Sequence, residues 1–379
     1  MRSFGAPMKT SPLKTQMSRY KKITLEDLSQ RSGLSKTTIS RVLSGKSHEF
    51  RINADTTRLV IDTAVEMNYR PELVARLLQS RQRYTIGLVV PNLSNPYYAS
   101  LAETVAQEAQ RQNLIVALFD SQNNPSIEDA AILKMRAMKT AGILLVPSGT
   151  DARPLEKVAS LIPIVQLDRY ISGSHLPYVS SNNFKGAYEA VTMLLQYGHR
   201  NITVVQGDTT SITSSERVRG CRQAVSDFGE PCVLDVRGND FSSRNGYLET
   251  LLALGREDRP TAIFTLSNSI LYGAVRALHE KGLTWPNDIS LVSFDTSNVV
   301  ELMQPSITRV EQPVLSMAVA ALKMLTNKIF ADQQSTSGLL LTPTLVKRDS
   351  VGFVAVSPSK DAAVSHEDIV PAAPEKTVS

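Results

Sequence analysis

The sequence predicts an α/β protein, in which an all-α helix-turn-helix headpiece precedes a core of doubly wound parallel sheets arranged as two lobes. Three observations carry that prediction. Residues 24–43 hold two short helical patterns separated by Gly33. From residue 84 onward, short buried-type strands alternate with helix-length segments. Charge also divides between these regions: residues 1–83 hold 16 of the 41 Lys and Arg but only 7 of the 36 Asp and Glu. The front end is therefore +9 and the remainder −4. A basic module joined to a mildly acidic body points to a polyanion-binding head on a separate globular domain. At 379 residues the chain is too long for one ordinary core and suggests two or three domains.

The helix pair begins at Thr24, which forms a capping-box pattern with Asp27, and Leu25 and Leu28 then mark one helix face. Gly33 supplies the tight turn. Ser35 with Thr38 starts a second helix, whose Ile39, Val42 and Leu43 point inward and leave Lys36, Thr37, Ser40 and Arg41 outward. Two short helices joined by a Gly-containing turn make a helix-turn-helix pattern, although any αα-hairpin has the same outline. After a loop over 44–52, Asn53 caps a third helix with Val60, Ala64 and Met67 inside, and the helix ends before Pro71. Residues 71–83 (PELVARLLQSRQR) are too short for a stable isolated helix, and read as a linker that folds on contact with a partner.

The core rhythm opens with TIGLVV (85–90) and runs through LIVALF (114–119), GILLVP (142–147), PIVQLD (163–168), NITVVQ (201–206), CVLDV (232–236), TAIFTL (261–266) and ISLVSFD (289–295). Helix-length segments separate them, as parallel sheets covered on both faces require. Ligands of such sheets bind outside the carboxyl ends of the strands.

Enzyme and metal patterns are weak. No G-x-G-x-x-G follows a strand, G-x-S-x-G is absent, and Gly45-Lys46-Ser47 lacks the rest of a phosphate loop. The five histidines show no metal-type spacing, and neither a metal nor a cofactor is expected. Glu26-Asp27 is explained by the first turn of a helix. Cys221 and Cys232 make no CxxC and are read as ordinary thiols in a reducing cytoplasm. No apolar run of 18 residues occurs and the first 20 residues lack an apolar signal region, so neither a membrane span nor secretion is expected.

From about Lys22 to Ser350 the chain resembles the LacI–GalR family of bacterial transcriptional regulators. The resemblance rests on ITLEDLSQRSGLSKTTISRVLSG, NYRPELVARLLQS, TIGLVVPNLSNPYYASL, VQLDR, YVSSNNFKGA, LLQYGHRNI, the R-x-x-G of Arg217 to Gly220, GAVRALHEKGL, DISLVSFD and ITRVEQPV, in that order. It implies a periplasmic-binding-protein-like core and a homodimer on pseudo-palindromic double-stranded operator DNA. Lys36, Thr37 and Arg41 would read bases; the chemistry suits them, since Arg pairs bidentately with guanine and Thr touches a thymine methyl. Thr24, Ser35, Thr38 and Asn53 match phosphate-contacting positions. In the hinge, Leu78 matches a minor-groove wedge and Ala75 the small residue that lets paired hinge helices approach. Tyr97, Tyr98, Asp168, Arg169, Asn182, Arg217, Asn268 and Asp295 match effector-cleft positions, with a sugar or sugar acid as the implied ligand.

The expected organisation is a disordered basic arm (1–20), a headpiece (21–69), a hinge (70–83), an N-terminal lobe (84–180 with 311–341), a C-terminal lobe (181–310 with 342–354) and a disordered tail (357–379). Three features depart from the family. The loop 44–53 is longer, so the third helix is expected to sit differently on DNA. Ser269 follows Asn268 where the family often has Asp. The tail lacks a leucine heptad, so a dimer is expected rather than a coiled-coil tetramer. The rival readings are a periplasmic-type solute-binding protein and a sugar-processing enzyme on the same lobes.

Overall fold

The computed structural model describes residues 23–43, 47, 50–67, 85–295, 297–330 and 338–354. Ala75 and Leu78, the rest of the hinge, the arm at 1–20 and the tail from 357 lie outside the described residues. The chain divides into two compact units, 1–83 and 84–379.

In the first unit, α1 (Leu25–Ser32), α2 (Lys36–Leu43) and α3 (Ala54–Glu66) enclose Leu28, Ile39, Val42, Val60 and Ala64. The capping box is formed: the Asp27 N–H donates to Thr24 Oγ1 at 3.3 Å, and the Thr24 N–H donates to Asp27 Oδ2 at 2.7 Å. Gly33 ends α1 at φ 71°, donating its N–H to the Ser29 carbonyl at 3.0 Å. No atom stands within 4 Å of a Cβ placed there, so the demand for glycine is conformational rather than steric. Gly33→Ala is expected to destabilise the headpiece by about 1 kcal/mol, which a chemical denaturation curve of the full chain followed through headpiece signals would register. The core of this unit is small. Truncating Leu28, which is 1% exposed, to Ala should therefore remove a large part of its stability, at roughly 2–5 kcal/mol for a buried Leu.

The second unit holds two six-stranded sheets. The first runs in the order β11 (Gly338–Leu341), β5 (Tyr178–Ser181), β4 (Ile164–Leu167), β3 (Ile143–Leu145), β1 (Thr85–Val90), β2 (Ile115–Asp120), and all its pairings are parallel. The second runs β12 (Thr344–Val346), β10 (Thr308–Glu311), β9 (Ser290–Phe294), β8 (Ala262–Thr265), β6 (Asn201–Val205), β7 (Val233–Arg237). Its pairings are parallel as expected, except that β12 lies antiparallel on β10 at the sheet edge. The chain reaches that edge from the neighbouring sheet through a two-residue turn after β11, so it enters against the strand direction.

Helices α4 (Pro96–Arg111), α5 (Pro125–Ala137) and α6 (Ala152–Ala159) follow strands of the first sheet. Helices α7 (Asn183–Gln196), α8 (Ile212–Phe228), α9 (Ser243–Leu254) and α10 (Asn268–Glu280) accompany the second, followed by the short α11 (Asn298–Glu301). Helix α12 (Val314–Phe330) returns to the first sheet, where Met317, Ala321, Leu322 and Leu325 join Leu101, Val105 and Leu144 in one buried cluster. The strands β5, β10, β11 and β12 were not among those expected. They are three or four residues long, and β5 and β10 bury Ser180, Ser181, Thr308 and Arg309, polar residues that hide a strand from an apolar pattern.

Candidate functional site

The outward face of α2 carries the expected base-reading residues. Lys36, Thr37 and Arg41 are exposed. Lys36 pairs with Glu26 on α1, and the Arg41 guanidinium lies 3.9 Å from the ring centroid of Phe50, a residue of the long loop before α3. The expected phosphate contacts have local roles as well. Thr24 caps α1, the Ser35 hydroxyl accepts the Thr38 N–H at 3.1 Å and meets the Thr38 hydroxyl at 2.8 Å, and Asn53 Oδ1 accepts the Thr56 N–H at 2.7 Å. Caps of this kind leave further N–H groups at each helix start directed outward, where an anion is stabilised by the helix dipole.

In the second unit the strand ends of both sheets converge on a cleft. Asn95 caps α4, accepting the Tyr97 N–H at 3.0 Å, and Pro96 starts the helix with a φ already suited to it. That start turns Tyr97 and Tyr98 inward, and both are 6% exposed. Their hydroxyls donate to Asp168 Oδ1 at 2.7 Å and Oδ2 at 3.3 Å. Asp168 follows β4 at φ 65°, and Asp295 follows β9 at φ 75°. Each of these strands is third from the corresponding sheet edge, so the two lobes repeat one device. An Asp placed in the left-handed region turns its carboxylate across the end of the sheet, and Asp tolerates that region better than most residues.

Arg217 on α8 supplies the opposing charge. It donates from Nε to Asn183 Oδ1 at 2.8 Å and from Nη1 to the Leu266 carbonyl at 2.6 Å, and Nη2 stands 3.9 Å from Asp295 Oδ1. One turn later, a Cβ on Gly220 would lie 2.2 Å from the Phe184 carbonyl oxygen. Backbone contact between α7 and α8 is what sets Asn183 beside Arg217, and it gives the R-x-x-G spacing a physical meaning. Arg169 donates to Asn123 Oδ1 at 2.8 Å and faces the rings of Tyr98 and Phe241 at 5.7 and 5.5 Å. Burial raises the carboxyl pKa of Asp168, opposed by the Tyr97 hydroxyl and by Arg217, and raises that of Asp295, opposed by Arg217 and Gln312.

Two expected residues are not brought to the cleft in the expected way. Asn182 caps α7, accepting the Lys185 N–H at 3.0 Å, and its buried neighbour Asn183 is the one that meets Arg217. Asn268 begins α10 and reaches the site through its backbone, which hydrogen-bonds Asp295, while Ser267 and Ser269 line the cleft on either side. Sequence reasoning missed Gln312, which donates from Nε2 to Asp295 Oδ1 at 2.6 Å, and also Phe241, Asp208 and Asp240. All four follow strands of the second sheet. The rule that ligands meet the carboxyl ends of strands pointed to Asp208, Asp240 and Phe241 after β6 and β7, and would have pointed to Gln312 had β10 been recognised.

Behind the wall of the cleft, the carboxylate of Glu128 accepts the Ser148 N–H at 2.6 Å, and the Ser148 hydroxyl meets that of Ser121 at 2.8 Å. Burial raises the Glu128 pKa to about 7, opposed by the Ser148 hydrogen bond. The folded state therefore keeps a proton that the unfolded chain releases, and this contribution to stability is full below the ordinary carboxyl pKa and lost as pH rises to about 7. Glu128→Gln should flatten that dependence and stabilise the protein by roughly 1–2 kcal/mol above pH 7, as denaturant titrations at pH 5 and pH 8 would show.

Among the described residues, no group of three or more His, Cys, Asp or Glu is arranged to hold a metal, and no helix is long and apolar enough to cross a membrane.

Residues 83–348 match the family of periplasmic binding proteins and sugar binding domain of the LacI family. The HTH-type transcriptional repressor PurR of Mannheimia succiniciproducens is 29% identical over 337 residues, covering 88% of this chain and 99% of its own length. Catabolite control protein A of Priestia megaterium is 28% identical over 308 residues, covering 80% and 92%. Among solved structures, the lac repressor dimer bound to operator and an anti-inducer superposes with a TM-score of 0.78 at 23% identity, covering 88% of this chain and all of that one, which shows the shared fold.

Proposed function

The chain belongs to the family of periplasmic binding proteins and LacI-type sugar binding domains, and from that membership we propose that it is a sequence-specific DNA-binding transcriptional repressor controlled by a small effector. The effector is a sugar or sugar derivative held between the two sheets. The observation that carries this reading is the presence, in one chain, of a basic, doubly capped helix pair and a buried cleft where Asp168, Asp295, Arg169 and Arg217 converge. Neither a transport receptor nor an enzyme requires the first. The relative that covers 88% of the chain is named a transcriptional repressor, and none of those reported above is named as an enzyme.

Lys36, Thr37 and Arg41 read base edges, while the helix starts at Thr24, Ser35, Thr38 and Asn53 meet phosphates. The protein works as a homodimer in the cytoplasm. Both sheets end on an edge strand, β2 and β7, that leaves Ile115, Leu118 and Val233 exposed, and α9 adds Leu248 and Leu252. Unprotected apolar edges of this kind are normally covered, and a second copy covers both with one two-fold axis. Ligand binding in the cleft shifts the population of lobe arrangements, and the dimer transmits that shift to the hinge at Ala75 and Leu78.

Selection of bound fragments from random duplex DNA, followed by footprinting, tests the reading. It should return a pseudo-palindromic site whose occupancy changes when a cleft ligand is added. Binding with no sequence preference, or ligand turnover, would overturn it. Sedimentation should give a dimer, and Leu118→Lys with Leu252→Glu should shift it towards monomer and weaken operator binding.

A further inference from the structure

The cleft divides into an inner cavity and an outer chamber, and the charges are unequal in both. The inner cavity is about 20 Å³, bounded by Asp168, Asp295, Arg217 and Gln312. It takes one water-sized group and is too small for a carboxylate or a phosphate. The outer chamber is about 540 Å³ and sets Arg169 against Asp208 and Asp240. Four carboxylates therefore face two guanidiniums, and neither space is lined by a lysine or a histidine.

The hydrogen-bond inventory points the same way. Gln312 donates from Nε2 to Asp295, which fixes the orientation of its amide, because the carboxylate only accepts. Its Oε1 is buried and has no hydrogen-bond partner among the described residues. Gln312 is 8% exposed and lines the inner cavity, so a lone acceptor stands beside two carboxylates. Arg217 neutralises them incompletely. Two of its nitrogens are committed to Asn183 and Leu266, and the third is 3.9 Å from Asp295.

We infer that the effector turns a protonated amine into the inner cavity and keeps a polyhydroxylated body in the outer chamber, which places it in the amino-sugar or amino-polyol class. The inference rests on the cleft being the effector site. An ammonium is water-sized and brings three donors to a cavity that the carboxylates of Asp168 and Asp295 line together with the unpartnered Oε1 of Gln312. A hydroxyl fits the space but brings one donor and no charge. A sugar acid or sugar phosphate would have to keep its anion in the outer chamber, where Asp208 and Asp240 outnumber Arg169, which is a repulsive arrangement. The raised carboxyl pKa values of Asp168 and Asp295 agree, since a cation restores the ionised form that burial disfavours. Phe241 and Tyr98 offer apolar walls to the body of the ligand.

The test is calorimetry and thermal shift on the full-length protein with matched sets of pentoses and hexoses, each as the amine, the N-acetyl amine, the neutral parent, the carboxylate and the phosphate. At least one amine should raise the melting temperature, its neutral parent should bind at least tenfold more weakly, and its N-acetyl, acid and phosphate counterparts should give no shift. Asp295→Asn should weaken the amine at least tenfold while changing the neutral parent less than threefold. Asp240→Asn, on an exposed turn and keeping an acceptor for the Ser242 N–H that Asp240 Oδ1 takes at 2.6 Å, should weaken the amine by about threefold or more. The second variant carries the test if the first fails to melt cooperatively. An acid or phosphate that binds most tightly, an amine and parent that bind within threefold of each other, or silence from every amine would each overturn the inference. Operator selection by the same protein would then still stand, so the regulatory reading fails separately, only if DNA selection fails.

Discussion

Arg217→Met is expected to destabilise the core by roughly 3–5 kcal/mol and to abolish the response to any cleft ligand. Arg217 is 3% exposed, and its guanidinium carbon lies 3.6 Å from the ring centroid of Phe294. Its removal leaves the Asn183 side chain, the Leu266 carbonyl and the Asp295 carboxylate without their cation. The last of these dominates, because an uncompensated buried charge costs more than a lost neutral hydrogen bond. The Asp295 pKa is already raised by burial and held down mainly by Arg217. Without Arg217 it rises further, and the folded state then favours a protonated Asp295. The deficit should accordingly grow as pH rises above the ordinary carboxyl range and shrink as pH falls. Urea denaturation of the variant at pH 5 and pH 8 measures this directly. The double variant Arg217→Met with Asp295→Asn should recover part of the loss, the signature of coupled neighbours. A loss below about 1 kcal/mol at both pH values would mean that the guanidinium is not what balances the cleft.

How much of this was legible in the sequence depended on where the physics is local. Thr24 with Asp27, Gly33, and Ser35 with Thr38 are decided within one helical turn by capping and backbone preference, and each takes its expected place. The long apolar strands such as TIGLVV were equally plain, because burial on both faces demands uninterrupted apolar residues. Strand β10 was not, since its buried Arg309 is compensated by Glu311 at the strand's own end and by Glu301 from outside it. Missing β10 meant missing Gln312, one residue beyond it. The case of Asn182 and Asn183 shows the limit of matching by motif. Both stand at the start of one helix, and only the packing of α7 against α8 decides which side chain caps and which meets Arg217. Asp168 and Asp295 matched a pattern, but their shared left-handed backbone is a three-dimensional fact that no spacing reveals.

Arg41→Ala is expected to cost about 1–3 kcal/mol at the selected operator and to relax base preference at a single position. Arg41 is exposed in the last turn of α2, and its guanidinium rests on Phe50. Phe50 therefore restricts this arginine before DNA arrives, which lowers the entropy lost on forming a bidentate pair with guanine. That geometry separates two roles that alanine alone would confuse. A phosphate contact depends on charge and survives replacement by lysine, whereas a base-edge reader depends on the planar fork and does not. Arg41→Lys should thus retain the salt dependence of binding while losing most of the preference at that position. Phe50→Leu should lose a smaller amount, about 0.5–1 kcal/mol, with the preferred base unchanged. Gel-shift titrations on the selected site and on single-base variants, at two salt concentrations, resolve all three. If Arg41→Lys keeps full base preference, Arg41 is holding the backbone, and the reading falls to Lys36 and Thr37.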